Sequence, residues 1–205
     1  EWIIKYKELF LDYVTDEQTT SRPITSIEAQ DYIFEAWIFF EMLDYIEKQK
    51  GIRCHLVFGS ENVENCNGFF MFKIDGVNIK FYYEKKFSRE TGIQIPDFSI
   101  MVEGSEDPFL ILDAKNFNIR AESIKKYARD QVYNYATTLH CKKIGFIFPY
   151  MPKDVEIDGQ KFSKFYNIIR DPSGSFTRTD LKMTPDPTFL KDKTLEKIFR
   201  IISDS

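Results

Sequence analysis

The stretch that decides the fold is IPDFSIMVEGSEDPFLILDAKNF, residues 95–117. Its two apolar runs flank a turn-rich centre, a pattern that predicts an antiparallel hairpin. Such a hairpin sets Asp97 opposite Ala114, give or take one residue. On the second strand Asp113 and Lys115 share one face about 7 Å apart, because alternate residues of a strand point the same way.

A carboxylate and an ammonium group at the end of an apolar strand are costly to bury unless they are paired or bind a metal. The alternative is that the strand has ended and both side chains reach water. Asp97 favours the first interpretation, because two carboxylates held close repel unless a cation lies between them. Asp97, Asp113 and the Ala114 carbonyl suit Mg²⁺. Lys115 beside this site would orient or activate water and stabilise charge on a phosphate oxygen.

The sequence around this hairpin predicts helices and strands in mixed order. Thr25 and Glu28 form a capping-box pattern at the start of a long helix that ends at Gly51. Asp75-Gly76 is a strong two-residue hairpin signal. The predicted helices cover 2–14, 25–51, 119–140 and 189–202, a polar linker covers 15–22, a charged loop covers 84–94, and the strands cover 52–58, 68–74, 77–83, 96–102, 109–115, 143–148 and, more weakly, 161–169. This order predicts an α/β fold with a mixed central β-sheet flanked by helices.

The long helix offers a third carboxylate, Glu35. A helical wheel places it on an apolar stripe that contains Ile38 and Met42. Glu35 is therefore a candidate metal or water ligand, although an exposed end of the stripe would also explain it. The opposite side of the wheel is predicted to be an ordinary solvated face made of Glu41, Asp44, Glu47 and Lys48.

The helix after the hairpin carries Tyr127, Gln131 and Tyr135 at four-residue spacing. Gln131 could contact a phosphate or a metal-bound water, or it could be a surface amide, and the tyrosines could simply pack. Near the start of this helix a basic group could add positive charge for a phosphate backbone, or be only a solvated face; it consists of Lys125, Lys126 and Arg129.

The chain has 205 residues, 43% of them hydrophobic and 29% charged, with a net charge of −4. This length and composition predict one globular domain that needs no disulfide or structural metal. The acidic balance counts mildly against DNA binding by the domain as a whole. No apolar run approaches the about 20 residues that span a bilayer. The 3 cysteines lack CxxC spacing and favour a reducing cytoplasm.

The residues then show a recognisable pattern. Pro96-Asp97 followed by Asp113-Ala114-Lys115 resembles the signature of the PD-(D/E)xK nuclease superfamily. The order of the surrounding motifs is similar to the nuclease domain of McrC-type restriction subunits and related defence nucleases: Phe34-Glu-Ala-Trp37 precedes the hairpin, Asp130-Gln131 and Tyr135 follow it, and a strand then ends at Phe148-Pro149. The resemblance covers approximately residues 25–149.

This resemblance implies a restriction-endonuclease-like core and a site for Mg²⁺, with Mn²⁺ able to substitute. It implies Asp97 and Asp113 as metal ligands, Lys115 as the catalytic lysine, Glu35 as an auxiliary acid, and Gln131 with Tyr135 as supporting residues. Such subunits work with a nucleotide-driven motor. This sequence has no GxxxxGK[ST] loop, so we expect the motor in a separate protein or in a missing N-terminal part.

We therefore expect a cytoplasmic, metal-dependent DNA endonuclease domain over residues 1–205, acting in restriction or anti-phage defence. Residues 150–205 would be a C-terminal extension outside the resemblance, and the start at Glu1 suggests a fragment of a longer protein. A double-strand cut would favour a homodimer. The alternatives are an inactive nuclease-like module that binds nucleic acid or holds a complex together, and a nuclease for RNA or repair structures. Isolated histidines and the lack of GxSxG, HExxH or GxGxxG motifs disfavour other enzyme classes.

Overall fold

The computed structural model describes residues 27–57, 68–116, 122–149, 156–157, 160–161, 166–184 and 190–204. The predicted helix 2–14 and the linker 15–22 lie outside these ranges. The helices within them are α1 (Ile27–Asp44), α2 (Glu122–Thr138) and α3 (Lys191–Ser203). A π-helical segment, Tyr45–Gln49, extends α1. The helical stretch ends before Gly51, whose φ of 66° suits a residue without a Cβ atom.

The strands of the described ranges are short and most follow the predicted apolar runs. They are β1 (His55–Val57), β2 (Phe69–Ile74), β3 (Val77–Tyr83), β4 (Phe87–Arg89), β5 (Gly92–Gln94), β6 (Phe98–Val102), β7 (Leu110–Ala114), β8 (Lys143–Phe148), β9 (Glu156–Ile157), β10 (Gln160–Lys161), β11 (Tyr166–Arg170) and β12 (Thr177–Lys182).

Eight strands form the central sheet, in the order β1-β2-β3-β6-β7-β8-β12-β11. Strands β7, β8 and β12 run parallel to one another, and the remaining neighbours are antiparallel. The expectation of an α/β fold with a mixed central sheet is confirmed.

Two hairpins fix the register of the middle of this sheet. Asp75 and Gly76 both have positive φ, 48° and 89°, as a tight two-residue turn requires, which confirms the predicted β2–β3 turn. In the β6–β7 hairpin Phe98 pairs with Leu112. This register brings Asp97 beside Asp113, within one residue of the predicted partner Ala114.

The sheet has a hydrophobic core on each face. Helices α1 and α3 pack on one face, against side chains such as Leu110 and Leu112. Helix α2 packs on the other face, where Ile111 and Phe146 meet Val132. The three-layer arrangement follows from β7 and β8, which are apolar on both faces and need cover on both.

Three expectations need correction. The segment predicted as a charged loop, 84–94, contains the β4–β5 ribbon. Strand β12 was not predicted, because its TRTDLK sequence carries too many polar residues to be typical of a central strand. Glu41 is not solvated: it is 8% exposed, and its Oε2 lies 2.7 Å from Lys191 Nζ, because α3 packs beside α1.

Candidate active site

One edge of the sheet gathers the predicted residues. Strands β3 and β7 end there, and β6 begins there, because β6 is antiparallel to both neighbours. Two backbone bonds continue the pairing beyond the strands: Glu84 N–H donates to the Asp97 carbonyl at 2.8 Å, and Lys115 N–H donates to the Ile147 carbonyl at 2.8 Å. The backbone therefore positions Asp97, Asp113 and Lys115 firmly.

Asp113 is the most enclosed of the three, with its side chain 1% exposed. Its Oδ2 lies 2.8 Å from Lys115 Nζ and accepts a hydrogen bond from the Tyr135 hydroxyl at 3.3 Å. The Lys115 side chain is 12% exposed, so its ammonium group lies between the buried carboxylate and solvent. The predicted pair thus lies on one face, and it is buried and paired rather than free in water.

Asp97 approaches the same carboxylate from β6. Its Oδ2 accepts a hydrogen bond of 2.6 Å from the Ala114 N–H. Burial, the charge of Asp113 and a hydrogen bond with Asp113 raise the pKa of Asp97 well above its usual range, and Lys115 only partly opposes this rise. Two carboxyl groups and one ammonium group therefore share a small volume, and Asp97 keeps its proton in the absence of a further cation.

Glu35 of α1 is close enough for the charge of Asp113 to affect its pKa, but its hydrogen bond is with Tyr83. Its Oε2 accepts a hydrogen bond from the Tyr83 hydroxyl at 3.3 Å. The pKa of Glu35 is raised to about 7. Burial is the largest cause, the charges of Glu84 and Asp113 add to the rise, and the Tyr83 hydrogen bond opposes it. The carboxyl group of Glu35 is therefore poised to exchange a proton near neutral pH.

Gln131 and Tyr135 of α2 reach the cluster as a relay. Gln131 Nε2 donates to the Tyr135 hydroxyl at 2.7 Å, and that hydroxyl donates to Asp113. Gln131 Oε1 is buried without a hydrogen-bond partner among the described residues. The relay explains why these residues are spaced one helical turn apart: both side chains must face the sheet.

The predicted basic group is only partly described. Arg129 is exposed on α2. Lys125 and Lys126 lie in the same helix, but their side chains are outside the described part of the structure. Their role stays a prediction.

Few side chains are available to hold a metal ion. Among the described residues no group of three or more His, Cys, Asp or Glu side chains is arranged to hold one, and Glu35 as a metal ligand stays a prediction. Two acidic side chains, of which Asp97 can release its proton when a cation binds, and nearby backbone carbonyls nevertheless fit Mg²⁺, which binds through one or two carboxylates and keeps several waters. The residues present fit that ion.

Tyr83 and Glu84 belong to the site and were not predicted. Glu84 has a φ of 49°, directly after β3, and burial raises the pKa of its carboxyl group. The signal was available: an antiparallel meander brings the end of β3 next to the start of β6. The predicted strand 77–83 therefore ends beside Asp97.

Comparison with known proteins gave one weak likeness. No family model and no curated protein matches the chain. The chain is similar to a solved structure described as a refined half-complex from a tetradecameric assembly of Thermococcus gammatolerans McrB AAA+ hexamers with bound McrC, with a TM-score of 0.49 and 15% identity. The match covers 84% of this chain and 33% of that one, so this chain spans about a third of its length. None of the described helices has the length and apolar character needed to cross a membrane.

Proposed function

We propose that this domain is a metal-dependent endonuclease that hydrolyses phosphodiester bonds in DNA. The observation that carries the proposal is the cluster of Asp97, Asp113 and Lys115 at one sheet edge. Its two carboxyl groups share one ammonium group, so without a further cation Asp97 keeps its proton, and its members are held by backbone and side-chain bonds. A purely structural ion pair needs only one carboxylate, so a second acid that can ionise when a cation binds favours a metal site.

The residues of the cluster would have separate roles. Asp97 and Asp113, with the Ala114 carbonyl, would hold Mg²⁺ or Mn²⁺. Such an ion polarises a phosphoryl oxygen and makes water a better nucleophile. Lys115 Nζ, anchored 2.8 Å from Asp113, would place positive charge beside the phosphate and orient the attacking water.

Glu35 and the Gln131–Tyr135 relay would support that chemistry. The pKa of Glu35, raised by burial to about 7, lets its carboxylate accept a proton from water at neutral pH. Tyr135 donates a hydrogen bond to Asp113 from α2, and Gln131 in turn donates to the Tyr135 hydroxyl and fixes its position. Gln131 and Tyr135 would be positioning residues for Asp113, and Glu35 would act on the water itself.

The wider role is also a proposal. The resemblance of the sequence motifs to McrC-type subunits supports a part in restriction or anti-phage defence, with a nucleotide-driven motor as partner. Two copies of the domain would be needed to cut both strands at once, since each chain has one such cluster among its described residues.

The test is cleavage of supercoiled plasmid by the purified chain with Mg²⁺ or Mn²⁺, run beside Asp113→Ala and an EDTA control. Nicked or linear product that vanishes in both controls would support the proposal. Parallel reactions with single-stranded DNA and RNA would identify the preferred substrate. If wild type and Asp113→Ala give equal cleavage, the assigned site is wrong. A folded chain that binds DNA but never cleaves it, even at high protein concentration, would favour the inactive binding module instead.

A further inference from the structure

A short ribbon joins the end of β3 to Asp97. Strands β4 and β5 form it, with Phe87 paired to Gln94 and Ser88 to Ile93. Its two faces differ: Phe87 is 5% exposed and packs in the core under α2, whereas Ile93 and Ile95 are 57% and 53% exposed. Two large apolar side chains in water at alternate positions are unusual for a strand that already has a buried face.

The exposed face also carries a positive charge. The β4–β5 register, continued by one residue, sets Lys86 opposite Ile95, and both are exposed. Ser88, opposite Ile93, is exposed as well. This surface, which we call the ribbon face, therefore consists of Lys86, Ser88, Ile93 and Ile95.

The ribbon is fixed at both ends. At its base, Glu84 N–H donates to the Asp97 carbonyl, and Lys85 Nζ lies 4.1 Å from the centroid of the Tyr82 ring. Near its tip, Arg89 Nη2 donates to Asp107 Oδ1 at 2.7 Å and to the Glu106 carbonyl at 2.9 Å. A surface held at both ends loses little conformational entropy when a partner binds.

The ribbon face is close to the candidate active site. Ile95 and Ile93 are two and four residues from Asp97, so their Cα atoms lie at most about 7 Å and about 14 Å from it. A B-form duplex continues on both sides of the phosphate being cleaved, and its major groove alone is about 12 Å wide. A duplex with its cleaved phosphate at Asp97 therefore extends far enough to reach residues this close.

We propose that the ribbon face binds duplex DNA beside the cleaved phosphate, with Ile93 and Ile95 against the minor groove and Lys86 on the backbone. This inference rests on the proposed function and adds the surface that holds the substrate. Isoleucine is among the apolar residues that contact or wedge into the minor groove, and a lysine alongside neutralises phosphate. Ile93 and Ile95 beside Lys86 therefore offer both apolar contact and positive charge to duplex DNA.

The test separates apolar from ionic contacts by their salt dependence. Affinity for a short duplex is measured at several salt concentrations by fluorescence anisotropy, with all variants in the Asp113→Ala background and in EDTA, so that nothing is cleaved. Ile93→Ser/Ile95→Ser should weaken binding roughly tenfold at every salt concentration, because it removes apolar contact and no charge. Lys86→Gln should reduce the slope of log affinity against log salt by about 0.9.

The matched control is Val77→Ser. Val77 is 44% exposed and lies at the far end of β3, and six residues of strand separate it from Tyr83 by about 20 Å. It should leave affinity and slope unchanged. If the wild-type chain cleaves plasmid but the double isoleucine variant binds as the control does, the inference fails and the proposed function stands. A chain that neither binds nor cleaves DNA overturns both. If Val77→Ser loses as much affinity as the double isoleucine variant, the effect belongs to exposed apolar surface in general, and the inference fails.

Discussion

Two acid–base pairs lie on the same face of the sheet, one on each side of β8. Asp113 lies on β7 and pairs with Lys115, which directly follows that strand. Asp180 and Arg178 both lie on β12. Both aspartates are in register with Phe146, so they lie two strand spacings, about 10 Å, apart. Both are buried, at 1% and 0% exposure.

The two pairs differ in their charge balance. Arg178 donates from Nε to Asp180 Oδ1 at 2.8 Å and from Nη2 to Oδ2 at 2.9 Å, and its guanidinium group lies over the Phe146 ring. Burial raises the pKa of Asp180, and the arginine opposes that rise. Asp180 therefore has Arg178 as its charged partner, whereas Asp113 has a second acid, Asp97, facing it across the β6–β7 hairpin.

The Asp180–Arg178 pair is complete and can only hold the sheet together. The Asp113–Lys115 pair has a second acid beside it, Asp97, which can release its proton when a cation binds, and we call it the open pair. Burial alone therefore does not distinguish a structural carboxylate from a functional one. The distinction lies in whether the neighbours already satisfy the charge. Substitutions in the two pairs should accordingly affect different properties.

The largest effect is expected for Lys115→Met, which removes the charge at the open pair and keeps the length of the side chain. Cleavage should fall at least about 10² to 10³-fold, because the positive charge beside the phosphate is lost. The melting temperature should fall by less than in Arg178→Met, because Asp113 keeps its hydrogen bonds with Tyr135 and Asp97. Rates on plasmid and circular dichroism measure the two effects, and Lys73→Met, an exposed lysine of β2, is the control. If Lys115→Met and Lys73→Met lose the same amount of cleavage, Lys115 does not belong to the active site.

Arg178→Met should instead destabilise the fold, by about 3 to 5 kcal/mol, because Asp180 is left buried without a partner. Urea denaturation measures the free energy of unfolding. Arg178→Met/Asp180→Leu removes both charges and should recover most of that loss. A double variant as unstable as the single one would mean that packing of the Arg178 stem on Phe146, and not the ion pair, stabilises β12.

This contrast also explains what the sequence could predict. Strong alternation and the Asp75-Gly76 turn fixed most of the central strands, and the acid-x-Lys spacing placed Asp113 and Lys115 on one face. Helix α2 was predicted with Gln131 and Tyr135 on one side, because their one-turn spacing depends only on local geometry, and the structure shows that this side faces the sheet.

The unpredicted parts depend on contacts between distant segments. Arg178 and Asp180 make β12 look like a surface segment, and only its placement beside β8 turns the two charges into a buried pair. Glu41 likewise looked solvated until α3 brought Lys191 to it. A hydropathy pattern predicts that a charged residue is exposed to solvent. It therefore misses charged residues that the fold pairs with each other in the interior.

Asp97→Asn should stabilise the metal-free protein at neutral pH by about 1 kcal/mol, because the folded chain must keep on Asp97 a proton that the unfolded chain releases. Asparagine can still accept from the Ala114 N–H, and its amide can donate to Asp113. Urea denaturation in EDTA tests this, beside Asp180→Asn, which should be destabilising because it disrupts a balanced pair. If both substitutions destabilise the fold to the same degree, the two sites do not differ in charge balance.

The smallest effect is expected for Tyr135→Phe. The hydroxyl links Gln131 to Asp113, so its loss should cost about 0.5 to 1.5 kcal/mol of stability and lower cleavage a few-fold. The control is Tyr133→Phe, since Tyr133 is 47% exposed and its ring packs edge-on against Phe176. A Tyr135→Phe protein that matches this control in both assays would show that the relay does not support Asp113.

The central claim is that the open pair binds a divalent cation. Isothermal titration calorimetry of Mn²⁺ into the metal-free chain tests it, with Asp97→Asn/Asp113→Asn as the variant and Asp44→Asn, on α1 away from the pair, as the control. We expect saturable binding to wild type and control and none to the double variant. Equal binding by all three proteins, or no binding by folded wild type, would contradict it.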